Sequence, residues 1–217
     1  MDEVQLNILK SDIIDRIKNI TNDSRAFLWI RSVYASDISD SELKIGGGNL
    51  LIAMGAFSAI DYLSKVNYCL SRPFGNLPKS GMIYAPVAPD CFVHFIKNSN
   101  LPVSLGIEEV PVAELKTFWD DWRNKLSHFN VQRNNHSAVS FMSTNDPNSK
   151  EWYLRFINGT SIQQNAFEEI ATGWRCYIDI LTRDLDSLAY YVANTVLPDS
   201  QAENILFLRQ WLDSNLL

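Results

Sequence analysis

The sequence predicts a mainly α fold, an up-and-down helical bundle carrying one small β-hairpin insertion. Three observations predict it. Apolar residues recur at three- and four-residue spacing towards both ends of the chain, the pattern of amphipathic helices. The apolar run LLIAMGAFSAI, Leu50 to Ile60, stops at Asp61, far short of the ~20 residues that span a bilayer. Only the stretch near 137–158 alternates in the manner of strands. With 217 residues and 46% hydrophobic content, the whole chain, 1–217, is expected to bury one core as a single domain.

Residues 4–20 place Leu6, Leu9, Ile13, Ile14 and Ile17 on one side of a helix, and 24–36 continue with Phe27, Trp29, Ile30, Val33 and Tyr34. Thr21 to Asp23 mark an interruption, giving two helices or one broken helix. After the polar turn SDISDSELK and IGGG, a long buried helix is expected over 49–70, with Gly55, Ser58 and Ala59 permitting close packing. Four of the eight prolines fall in 71–90 and predict an extended loop. A short helix over 90–98 follows, then a longer one over 108–129 beginning through Pro111. In it Leu115, Trp119, Trp122, Leu126 and Phe129 form the core-facing stripe. SAVSFMST and KEWYLRFI flank the turn-rich NDPNS as a β-hairpin near 137–158. Helices over 163–196 and 200–214, separated at Pro198, close the chain.

Composition narrows the function. The formal net charge of −6 opposes a sequence-blind nucleic-acid coat, which must neutralise many phosphates, but leaves room for a small local site. Three cysteines, Cys69, Cys91 and Cys176, stand at no metal or redox spacing, and MDEVQLNILK lacks the features of a signal peptide, so a reduced cytoplasmic protein is expected. No cofactor and no metal are expected: His94 sits in the apolar CFVHFIKN as a hydrogen-bonded core residue, and His128 and His136 have no Cys or carboxylate at ligand spacing. The GGGN at 46–49 lacks the GK[ST] of a phosphate loop and is read as a flexible start to the helix. No GxSxG motif is present.

The segment WDDWRNKLSHFN, 119–130, holds the candidate site. Its apolar stripe accounts for the packing, yet Arg123 borders that stripe, and Asn124 and His128, four apart, share the opposite face. Read structurally, this is a solvated polar face with an Asp121–Lys125 pair. Read chemically, it is a phosphate site. Arg123 is permanently charged and forked to suit phosphate oxygens, His128 can move a proton near neutral pH, and the Asn124 amide can orient either.

RNKLSH resembles the signature of the HEPN superfamily: arginine, a polar residue, three further residues, then histidine. Carried over position by position, the arginine falls on Arg123, the polar residue on Asn124 and the histidine on His128. The resemblance implies an all-helical bundle over about 1–130 and 163–215. It also implies a metal-independent endoribonuclease that uses the ribose 2′-hydroxyl, acting in a toxin–antitoxin or antiviral defence system. RNA would be the substrate, two chains would share a composite site in a homodimer, and a cognate antitoxin protein is a further expected partner. Asn130 stands where toxin members often carry a tyrosine. The alternative is a non-catalytic HEPN-like module that binds a nucleotide or a protein, and a blander one is a helical dimerisation protein.

Overall fold

The computed structural model describes residues 3–37, 48–71, 88–127, 138–142, 165–170 and 173–215. Helices α1 (Glu3–Asp37), α2 (Gly48–Ser71), α3 (Ala88–Asn98) and α4 (Val112–Ser127) come first. Strands β1 (Ala138–Met142), β2 (Phe167–Ile170) and β3 (Gly173–Tyr177) follow, then helices α5 (Ile178–Tyr191) and α6 (Ala202–Asn215). The fold is mainly α, as predicted. Among the described residues no helix is long and apolar enough to cross a membrane. The proline-rich segment lies outside the described residues from 72 to 87.

Helix α2 is the hub. Ile52, Ala53, Ala56, Phe57, Ala59, Ile60, Leu63 and Val66 are all buried, and such a wide apolar surface is stable only if neighbours cover several sides. Helices α1, α3, α5 and α6 do so. Helix α1 packs closely at Gly55, where a Cβ would stand 3.3 Å from Ile20 Cγ2. Ala59 is buried as expected, whereas Ser58 is exposed.

Helix α1 runs unbroken through Thr21–Asp23, correcting the expected interruption. The stretch is held by a tertiary partner: Thr21 Oγ1 donates to Asp186 of α5 at 2.8 Å, and Arg25, just beyond it, pairs with the same carboxylate. Ser24 Oγ donates to Ile20 O at 2.9 Å. On its apolar side Leu9, Ile13 and Ile17 are buried, but Phe27 is 47% exposed.

The segment 163–177, expected to be helical, instead supplies β2 and β3. The sheet order is β1-β3-β2, with β1 parallel to β3 (Val139 opposite Trp174, Phe141 opposite Cys176) and β2 antiparallel to it (Phe167 opposite Cys176). Trp174 and Cys176, two apart, are both buried, the period of a strand and not of a helix. Strand β1 falls within the expected hairpin, but its described partner is β3, and the second half of that hairpin lies outside the described residues.

The loop before α4 is tied from both ends. Glu108 accepts from Leu105 N at 2.5 Å and Gly106 N at 2.9 Å, while its own carbonyl accepts from Lys97. Phe167 N donates to Leu105 O at 2.8 Å, joining this loop to β2. Gly106 has φ +86°, and a Cβ there would come within 2.3 Å of Phe167 O.

Candidate functional site

Aromatic packing sets the rotation of α4 and so of the segment that carries the motif. Leu115, Phe118 and Trp119 are buried on one side. Trp119 stacks on Phe92 of α3, with ring centres 4.3 Å apart and planes 16° from parallel. Phe118 meets the edges of Phe167 and Trp174 at 5.5 and 5.6 Å, which holds the helix against the sheet. Phe118 was not in the predicted stripe. Its burial widens the apolar face towards β2 and β3.

Arg123 and Asn124 stand in the last described turn of α4, whose side chains from 121 onward lie outside the described residues. His128 lies outside them altogether. Helical register alone places position 123 about 80° from Leu115 and position 124 about 180° from it, at about 100° per residue. Position 124 therefore stands one turn beyond exposed Asp120, on the side away from the core. At the other end of the helix Lys116 pairs with Asp90 of α3 at 2.6 Å, in an exposed contact of little weight for stability.

His94 is half-buried, its Nδ1 lies 3.0 Å from the Asn98 amide and its ring meets Tyr68 edge-on. The hydrogen bond was expected, but His94 sits at the edge of the core and not within it. Among the described residues no group of three His, Cys, Asp or Glu side chains forms a metal-holding cluster.

Sequence reasoning missed two grooves, because each collects residues from helices far apart in the chain. One, of about 820 Å³, lies between α1, α2 and α6, where Arg16 sits over the ring of Tyr62, 5.0 Å from its centre. Burial pushes the Tyr62 phenol up, Arg16 opposes this, and Asp12 adds to it. Asp15 and Asp213 also line that groove, so its charge is of mixed sign. Another, of about 510 Å³, gathers Asn67, Ser99, Tyr191, Thr195 and Asn204 where the ends of α2 and α3 approach the segment after α5. Among the described residues neither contains one of α4.

Comparison with protein-family models, with curated proteins and with solved structures finds no match for this chain.

Proposed function

We propose that this protein is a HEPN-like, metal-independent endoribonuclease of the cytoplasm, acting in a toxin–antitoxin or antiviral system. The observation that carries the reading is the motif Arg123-Asn124-Lys125-Leu126-Ser127-His128 at the end of a helix whose rotation is held by the Phe92–Trp119 stack, in a mainly α fold. One face of α4 is committed to the core. Position 124 falls on the other by helical register.

In the proposed reaction the ribose 2′-oxygen attacks the adjacent phosphorus and the bond to the 5′-oxygen breaks, leaving a 2′,3′-cyclic phosphate. A base takes the 2′-hydroxyl proton, and an acid gives one to the departing 5′-oxygen. His128 has the right titration range for either role, Arg123 the fork for the charged phosphorus centre, and Asn124 an amide to orient them. Each chain has one histidine in the motif. A twofold dimer that brings two motifs together supplies both proton-transfer groups around one phosphate.

The net charge of −6 favours a second reading, a non-catalytic HEPN-like module that binds a nucleotide or a protein. One experiment separates the two. Purified protein and its His128→Ala variant are incubated with total RNA in chelator and the fragment ends analysed. Cyclic phosphate ends from the wild type alone support the ribonuclease; intact RNA in both, with retained binding, supports the module. Mixing Arg123→Ala with His128→Ala chains tests the composite site.

A further inference from the structure

We propose that the face made by α1 and α6, with the groove of about 820 Å³ between them, is an isologous docking surface for a second copy of this chain. No described residue lining that groove belongs to α4, so the inference does not rest on the ribonuclease reading or on its composite site.

Helix α2 gives the face its shape. Helices α1 and α6 both pack on α2, and Tyr62 of α2 shows between them as the floor, beside the buried Leu9 and Leu212. Arg209 of α6 donates to the Gln5 side chain and to Gln5 O, both at 3.3 Å, and so holds the two helices side by side at one end. At that end Val4 and Ile8, one turn apart on α1, are 68% and 54% exposed. Leu206, one turn before Arg209 on α6, is 58% exposed. Aliphatic surface left open to this extent on two adjoining helices is the mark of an interaction surface.

Charge selects the occupant. Asp12, Asp15 and Asp213 line the groove together with Arg16 and Arg209. Asp12 and Arg16 are four apart on α1, and Arg209 and Asp213 are four apart on α6, the spacing at which opposite charges pair along a helix. Neither pair closes. Arg16 lies over the Tyr62 ring and Arg209 turns to Gln5, which leaves Asp12 and Asp213 without an ion pair among the described residues. The groove therefore offers two cations and three anions, close to balance in a chain whose net charge of −6 opposes self-association elsewhere.

A uniformly basic partner would meet Arg16 and Arg209, and a uniformly acidic one the three aspartates. A copy related by a twofold axis presents the same charges in reverse order, so that the guanidinium groups of each protomer face the carboxylates of the other. The same axis brings the Val4–Ile8 ridge of each α1 to the groove of the other protomer, where an apolar helix face is accommodated between two helices.

The test is analytical ultracentrifugation of the full chain over about 1–200 μM, where a dimer with Kd in the micromolar range is expected. Two charge-reversed chains are compared with it, one carrying Arg16→Asp and Arg209→Asp, the other Asp12→Arg and Asp213→Arg. Each alone should associate at least tenfold more weakly than the wild type, and mixing the two should restore a heterodimer. Ile8→Lys, at an exposed position, should weaken self-association at least tenfold with unchanged circular dichroism, whereas His128→Ala should leave it as it is, separating this interface from one that pairs the RNKLSH motifs. The proposal is overturned if the wild type stays monomeric at about 200 μM, or if the charge-reversed or Ile8→Lys chains dimerise as the wild type does. A mixture of folded charge-reversed chains that stays monomeric overturns it equally.

Discussion

Replacing Asp184 by asparagine should remove a pH dependence built into the core. Asp184 is 1% exposed on α5. Its Oδ1 receives Arg183 Nε at 2.7 Å and the neighbouring guanidinium nitrogen at 2.6 Å, and its Oδ2 has no partner among the described residues. Burial raises the carboxyl to about 6 from its usual 3.8, Arg183 pulls against this, and the nearby Asp179 adds to it. The folded state therefore holds the proton more tightly than the unfolded chain does. Below pH 3.8 both states are protonated and nothing is lost; between 3.8 and about 6 stability falls as pH rises, and above that it is level. At about 1.4 kcal/mol for each unit of pKa, the loss is about 3 kcal/mol. Asparagine keeps an oxygen for Arg183 but cannot ionise, and its new N–H group costs about 1–3 kcal/mol if left unmade. The difference in unfolding free energy between variant and wild type, measured by urea titration of tryptophan fluorescence, should shift by about 3 kcal/mol in the variant's favour from pH 3.5 to pH 8. Parallel curves for the two proteins across that range would refute the reasoning.

Gly106→Ala should cost roughly 2–4 kcal/mol, combining the left-handed backbone penalty with a clash against Phe167 O, and is read from the denaturation midpoint. An unchanged midpoint would show that the loop shifts freely. Cys69, Cys91 and Cys176 are buried, and burial pushes the Cys91 thiol up to about 12 and Cys176 well above its usual value. A thiol reagent at pH 8 should label none of these three in the native protein and all of them in denaturant; a rapidly labelled native thiol would contradict their packing. If Arg123 contacts the scissile phosphate, Arg123→Lys should cut RNA cleavage strongly although the charge remains, and His128→Ala should lower it roughly 10²–10⁴-fold. Normal cleavage by the lysine variant would return Arg123 to the surface.

Local chemistry was enough to determine much of the helical framework. The Leu50–Ile60 run had to be buried on several sides, and α2 became the hub. Pro111 and Pro198 act within a few residues of themselves, so the break before α6 was legible, and α4, expected from 108, starts just after Pro111 at Val112. The motif was equally legible, since RNKLSH is a matter of order and spacing, and its described positions 123 and 124 lie on the predicted helix.

Tertiary structure decided what depends on distant partners. Thr21 to Asp23 read locally as a break, but Asp186, far along the chain, gives Thr21 and the nearby Arg25 a partner and the helix continues. Residues 163–177 are aromatic-rich and apolar enough to pass for a buried helix. Within them Phe167–Ile170 and Gly173–Tyr177 are strands because β3 finds β1 in register and Phe167 N finds Leu105 O. Phe118 entered the core only because β2 and β3 bring Phe167 and Trp174 to its edge. The Asn67 groove also exists only in three dimensions: its walls come from α2, α3 and the chain around Pro198, and no spacing in a linear sequence encodes the meeting of surfaces that hydrophobic burial brings together.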